Sequence, residues 1–490
     1  MSLTYLIYKD VAPGAEGDAT PSATGVSSFS NVALLPHGKT MGKIATLEQN
    51  QWLLDGEHGF LDNDVVAFWS ADLSGEDCVM ATPPVIDISF GENYSSSGVS
   101  IEFDPMGGNY CTEVNIKWLR DGSVLSDMDF QPNATTYFFA NAVEAYDQLI
   151  FTFNKTNLPL HRVKINHILF GVSRRFDMEV LRSSSIVRES NLISAEIPAS
   201  TLDVTIDDQS NIDFLFQLKQ PIEAFNDNIS LGAFYIKEHK RNGKSVYSLN
   251  CHDAWGVLDE SGFDGGVYEN ASAFGILESI VDPEFILSFA DGLEDKQLTG
   301  VIQPCTRREA AQQVLFAVGW ATATDDGAEI KVFSLPDNLV DVGENRTYSG
   351  ASSEISAITT EVKVAAHKYT ESSNGNIEIG GKKYNDTTTI YTVKNPAVSS
   401  TDKSSVVEVT DATLVSNDNA QEVAERVYNY YQMRQRDSAK IVWQGERIGD
   451  MVKVPTEWGN AHTGRIEKMT IKLSNVVAAD LDVVGVIQGG

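Results

Sequence analysis

Cys251-His252-Asp253 sets a thiol, an imidazole and a carboxylate in three consecutive residues, the groups a cysteine hydrolase uses as nucleophile, base and orienter. Their neighbours alternate like a strand, however, and adjacent residues of a strand point to opposite faces. Cys251 and His252 could not easily share a proton there, so the trio reads as a core cysteine beside a polar strand end. His161 and His167 flank another apolar run; zinc would need a third and a fourth ligand, and none lies nearby. Asp325, Asp326 and Glu329 offer carboxylates to calcium, but they miss the spacing of a calcium loop, and Asp-Asp-Gly is ordinary turn chemistry. The sequence contains no phosphate-binding glycine loop, serine elbow, His-Glu zinc motif or dinucleotide fingerprint. Glycoside cleavage needs two carboxylates across the scissile bond, and with 68 Asp and Glu no local pattern selects a pair. The expectation is a non-enzymatic protein with no catalytic, cofactor-binding or metal-binding residues.

Aromatic residues offer a different chemistry, because an exposed ring can stack on a sugar. Tyr94, Tyr110, Trp118 and Tyr137 are the candidates for glycan binding. Trp118 shares the inward alternation of Val114 and Ile116, which favours the core, whereas Tyr94 and Tyr110 fall in stretches that read as loops.

These side chains sit in a chain of 490 residues, enough for about three or four domains. Hydrophobic residues make up 42% and charged residues 21%, a globular balance. The net charge of −31 disfavours nucleic acid and anionic membrane as partners, since both would be repelled. Cys78, Cys111, Cys251 and Cys305 are scattered; a Cys78–Cys111 bond is conceivable, and reduced thiols are the preferred reading. The first residues lack a signal-peptide pattern, and no run approaches the roughly 20 apolar residues of a membrane helix. Synthesis in the cytoplasm as a soluble product is the expectation.

The fold class expected is mainly β, α+β overall, in several domains. Residues 1–85 read as an arm and a small docking region, loop-like from Val11 to Ser28 and denser around Trp52, Leu53, Leu54, Phe60, Phe68 and Trp69. Residues 86–172 alternate at period two in runs such as Ile86/Ile88/Phe90, Val114/Ile116/Trp118 and Leu149/Phe151/Phe153, the pattern of an antiparallel sandwich. Residues 173–270 form a second β-domain, with a hairpin turning at Lys240–Lys244 on its Asn-Gly pair. Residues 271–344 read as a small α/β connection, with a helix over 270–281 and another opened by the capping box Thr306/Glu309. Residues 345–490 form a third β-rich region around a helix at 419–435, with an exposed loop or hairpin at 370–405.

Two groups of phrases resemble known families. IDISFGENYSSSGVSIEFD (86–104), EVNIKWLRDGSVL (113–125) and LPLHRVKINHILFG (158–171) resemble a discoidin or galactose-binding-like sandwich, in which a loop such as Asn93–Gly98 precedes a core strand. Over about 175–490, STLDVTIDD, LGAFYIKEHKRNGKSVYSLNCHDAWGVLDE, TRREAAQQVLFAVGWATATDDGAEIKVF, AQEVAERVYNYYQMRQ, GERIGDMVKVPT and HTGRIEKMTIKLS resemble the baseplate hub proteins of tailed phages and contractile injection systems. The resemblance implies a homotrimeric ring in the virion tail tip. That ring would join the tail tube to the tip, touch a distal tail or tube protein, the tape measure and spike or fibre proteins, and let DNA or tape measure pass. It also implies tube-like β-domains, whose acidity would repel phosphates if it lined a channel. No wall-cutting domain follows the last hub-like strand, so that activity is expected on another chain. The alternative is an adhesion protein that grips host cell-wall glycan with its N-terminal sandwich. A carbohydrate-active enzyme is a third reading.

Overall fold

The period-two runs become strands, and they make this a mostly β protein. In the computed structural model the described residues are all except 1–3, 40–41, 47, 50, 52–55, 57, 60–65, 209–215, 228, 284, 399–402, 457–460, 475 and 488–490. Trp52, Leu53, Leu54 and Phe60 of the dense N-terminal stretch lie outside the described residues. The chain divides into two compact units, residues 8–174 and residues 1–7 with 175–490. Strands Thr4–Val11 and Gly171–Asp177 lead into and out of the inserted unit. They are neighbours in one sheet, and the Ala12 N–H donates to the Phe170 carbonyl at 2.9 Å.

Residues 8–174 are organised by two long antiparallel strands, Val85–Phe103 and Thr136–Thr156, that pair with each other twice. One stretch matches Val85–Ser89 with Gln148–Thr152, the other Gly98–Glu102 with Thr136–Ala140. Between them the register shifts around Tyr94 and Ser96, so the stretch expected as a loop at Asn93–Gly98 is a bulged strand instead. Bulges absorb the surplus residues while pairing continues. Gly98 has φ +155°, and a Cβ there would collide with the Phe139 carbonyl, so only glycine fits. Strands Lys164–Leu169, Cys111–Arg120 and Ser123–Phe130 extend the sheet. The segment expected as a loop at Val11–Ser28 holds a helical turn, Ala15–Asp18, and a strand, Thr20–Thr24, paired with Val85–Ser89. Inward side chains from the strands meet in one core with Phe103, Trp118, Phe139, Phe151 and Phe153, all fully buried. Each such side chain contributes about 1.5–3 kcal/mol on leaving water.

The remaining unit is built on a 13-stranded sheet. Its main path begins at Thr347–Ile355 and continues through Gln435–Val442, Ala478–Gly485 and His462–Lys472. It crosses to Leu181–Glu189 and then to Thr201–Asp207, Val246–His252, Ile229–Arg241 and Pro221–Asn226, ending on the two strands at the insertion. One ladder, Ser185–Glu189 against Lys468–Lys472, joins the two halves of the path. The expected hairpin is present as Ile229–Arg241 with Val246–His252. Helices Ala273–Ile280, Arg307–Val318 and Ala420–Gln432 contribute to a separate apolar core with Val314, Leu315, Val423 and Val427. The capping box is intact: the Glu309 N–H donates to Thr306 Oγ1 at 3.2 Å, and the Thr306 N–H to Glu309 Oε2 at 3.0 Å. Around 370–405 the described residues include the hairpin Glu361–Glu371 with Lys382–Lys394, in a four-stranded sheet. No helix among the described residues is long and apolar enough to cross a membrane.

Candidate functional site

Strand Leu181–Glu189 places Arg188 in an inward slot where an apolar residue would be expected. Only 7% of the residue is exposed. Its Nη2 donates to the Leu231 carbonyl, and its Nη1 lies 3.9 Å from Asp325 Oδ2. Arg447 Nε approaches the same oxygen to 3.2 Å, so two guanidinium groups share one carboxylate. Burial pulls the Arg188 guanidinium below its ordinary range, and Asp325 and Asp253 partly restore it.

Asp253 caps the short helix Ala254–Leu258, accepting the Gly256 N–H at 3.3 Å. Its other oxygen accepts the Thr324 hydroxyl at 2.7 Å. Burial holds its carboxyl above the usual range despite these bonds, and Asp450 is pushed up by burial as well. Arg188, Asp253, Trp255, Thr324, Asp325 and Arg447 are among the residues lining a cavity of about 340 Å³. Two buried donors here, Arg188 Nε and the Trp255 indole N–H, have no hydrogen-bond acceptor among the described residues.

The candidates from the sequence are distributed otherwise. Cys251 is fully buried and its thiol is pushed up by burial, while His252 is held down by burial. Of that trio only Asp253 reaches the cavity. Asp325 is committed to arginines, and Glu329 accepts from the Ser288 hydroxyl. His161 Nδ1 meets the Pro159 carbonyl at 2.6 Å, and His167 Nε2 meets that of Pro36 at 3.0 Å. No group of three His, Cys, Asp or Glu among the described residues is placed to hold a metal ion. All four cysteines are free thiols.

The aromatic candidates do not converge into one described contact. Trp118 is 0% exposed, paired against Leu149, and its ring cannot stack on an external sugar. Tyr94 lies in the bulged strand rather than a loop and packs edge-on against Phe90 at 5.3 Å. Its hydroxyl is pushed up first by desolvation and then by Asp18. Tyr137 packs against Phe139 at 4.9 Å. Tyr110 sits in a loop, half-buried, with its N–H donated to Asn157 Oδ1 at 3.1 Å.

A second buried charge lies in residues 8–174. Lys164 Nζ is 3.0 Å from Glu48 Oε2 and 4.4 Å from the centre of the Trp69 ring. The adjoining cavity is about 20 Å³, room for little more than one water. Neither this clamp nor the arginine pair was singled out from the sequence. The available signal was a lone cation in the inward phase of a strand, as at Arg188 just after Ile186 and Val187.

No known protein-family model matches the chain, and no curated protein matches it. Proteins of similar structure include phage tail proteins. A tail protein from Neisseria meningitidis MC58 aligns with a TM-score of 0.47 at 14% identity, over 64% of this chain and 93% of its own. Prophage tail protein gp18 from Listeria monocytogenes EGD-e gives 0.43 at 13% identity, over 63% and 91%. A family 32 carbohydrate-binding module of C. perfringens NanJ, solved with galactose, gives 0.22 at 13% identity, over 34% of this chain and 100% of the module. At these scores the functional reading rests on the chain's own residues.

Proposed function

We propose that this chain is a non-enzymatic structural component of a phage tail tip or baseplate, acting in the virion as the central hub that joins tail tube to tip. The observation that carries the reading is the open end of the 13-stranded sheet. Among the described residues its terminal strand Thr347–Ile355 is paired with Gln435–Val442 alone, and it exposes Tyr348 and Ile355. A sheet edge offers unpaired N–H and C=O groups to another chain, and natural monomers guard such edges with lysine, proline or bulges. This strand is bulged between Tyr348 and Ser352, then runs regularly to Ile355 with Glu354 as its one charge. A closed ring would need this edge to meet a different surface of the next copy, and the hub resemblance makes that ring a homotrimer.

In this reading the neighbours are a distal tail or tube protein, the tape measure and a spike or fibre protein. The net charge of −31 would keep DNA from adhering to a channel wall. A ring whose lumen is neutral or basic, with its acids outside, would remove that last role. The placement is tested by cryo-electron microscopy of the intact particle with this chain labelled at its C-terminus. Label in a central ring at the distal end of the tube is the expected result. Label on outer arms or fibres would overturn the hub reading and favour adhesion through residues 8–174, where Tyr94, Tyr110 and Tyr137 are the half-buried candidates.

A further inference from the structure

We infer that Asn242, at the tip of the hairpin Ile229–Arg241 with Val246–His252, is a site of spontaneous covalent modification, losing its side-chain amide to become aspartate or isoaspartate. The reagents are water and the chain's own atoms. The Gly243 nitrogen attacks Asn242 Cγ and sheds its proton, and the new C–N bond closes a cyclic imide. The Cγ–Nδ2 bond breaks as Nδ2 takes that proton and leaves as ammonia. Water then opens the imide at either carbonyl, giving aspartate or, where the main-chain bond is the one cut, isoaspartate. A following residue without a Cβ leaves the attack unhindered, and the chain has two Asn-Gly pairs, Asn242-Gly243 and Asn374-Gly375.

The structure separates the two. Neither Asn242 nor Gly243 has positive φ, so this pair is not held in the tight turn that Asn-Gly favours in hairpins. A wider loop closes instead, with the Asn242 N–H donating to the Val246 carbonyl at 2.8 Å. Both residues are exposed. The Gly243 N–H has no backbone acceptor among the described residues, and a Cβ on Gly243 would have no neighbour nearer than 3.9 Å. The Asn242 carboxamide is tethered through its leaving nitrogen, which donates to Ser248 Oγ at 2.7 Å. Arg241 donates to the Gly243 and Lys244 carbonyls at 3.1 and 2.6 Å, so its charge is held at this loop. A cation there favours the negative charge that grows on Asn242 Oδ1 during attack. At the second pair the attacking nitrogen is engaged, because the Gly375 N–H donates to the Ser372 carbonyl at 3.0 Å. Gly375 also lies against the Tyr384 main chain, where a Cβ would come within 2.4 Å of the Tyr384 nitrogen. Giving up one such hydrogen bond slows attack by about fivefold, before that packing is counted. Conversion at Asn242 sets a new carboxylate between Arg241 and Lys244, and isoaspartate lengthens the main chain within the loop. The inference concerns the chain's own atoms and is independent of where the protein sits in a particle.

The test is incubation of the full-length chain in mildly alkaline buffer, folded and in urea, followed by mass spectrometry of chymotryptic peptides. Cuts beside Tyr235 and Tyr247, and beside Tyr369 and Tyr384, isolate the two pairs. Each conversion reads as a gain of one mass unit, with isoaspartate eluting apart from aspartate. In the folded chain Asn242 should convert about fivefold faster than Asn374 or more, and in urea the two rates should converge. Gly243→Ala fits the open space at the tip and should slow conversion at Asn242 severalfold, leaving Asn374 as it was. Asn374 keeping pace in the folded chain overturns the inference, as does a folded Asn242 that stays intact while the unfolded chain converts. A difference that persists unchanged in urea belongs to local sequence rather than to the fold and overturns it too. An undiminished rate in Gly243→Ala would mean direct hydrolysis in place of attack by the backbone.

Discussion

Residues 8–174 bury Lys164 against Glu48 and under Trp69, with about 20 Å³ left beside it, whereas the other unit buries Arg188 on the wall of a 340 Å³ cavity. Both are cations in inward strand positions, and burying either one alone would cost several kcal/mol. The Lys164 ammonium meets a carboxylate, the Gln51 side-chain oxygen at 3.4 Å and an aromatic face. Arg188 has five donors in a fixed fork, one carbonyl, and a share in one carboxylate. A buried charge held by a close carboxylate with little space beside it fastens a fold. One with a donor left over carries a standing cost in the fold.

The sharpest blow to the sealed unit is Trp118→Ala, which should cost about 3–5 kcal/mol by opening a void among Phe130, Leu149 and their neighbours. Hydrogen exchange should speed across 8–174 and stay unchanged beyond 175; uniform acceleration would mean that the two units do not unfold separately. Glu48→Ala comes next, at about 3 kcal/mol, because it strands the Lys164 charge. Pairing it with Lys164→Met should recover most of the loss in chemical denaturation. A single-variant effect under about 0.5 kcal/mol would mean the clamp is solvent-exposed in solution.

On the other side of the comparison, Thr306→Ala should cost about 1 kcal/mol, confined to exchange in Arg307–Val318, with Thr306→Ser close to wild type. The smallest stability effect is expected at Tyr110→Ala, under about 1 kcal/mol because the residue lies half-buried in a loop. If residues 8–174 also grip host wall glycan, that variant should reduce retention on wall fragments several-fold. Unchanged retention would remove Tyr110 from the adhesion reading.

Local features were legible where one physical rule dominated. Thr306 and Glu309 announced their helix, the 419–435 stripe folds as Ala420–Gln432, and Trp118 lies inward with Val114 and Ile116. Asn93–Gly98 read as a loop because serine and glycine favour turns. The tertiary pairing of Val85–Phe103 with Thr136–Thr156 overrode that preference through bulges. The ladder of Ser185–Glu189 on Lys468–Lys472 joins segments far apart in the chain, and strand alternation carries no information about which partner a strand will choose. The cavity was hidden for the same reason. Arg188, Asp253, Asp325 and Arg447 belong to four separate stretches; Asp253 and Asp325 drew notice only within their own local motifs, and nothing near Arg188 or Arg447 tied them together.

The paired strands at the insertion have an evolutionary meaning. Chain enters residues 8–174 along Thr4–Val11 and leaves along Gly171–Asp177, and adjacent strands lie about 5 Å apart. The coding segment between them is thus a cassette: it can be excised, or exchanged for another whose ends lie equally close, with a short turn to rejoin the chain. Recombination could refit the chain with a new module while the receiving sheet keeps its own ladders.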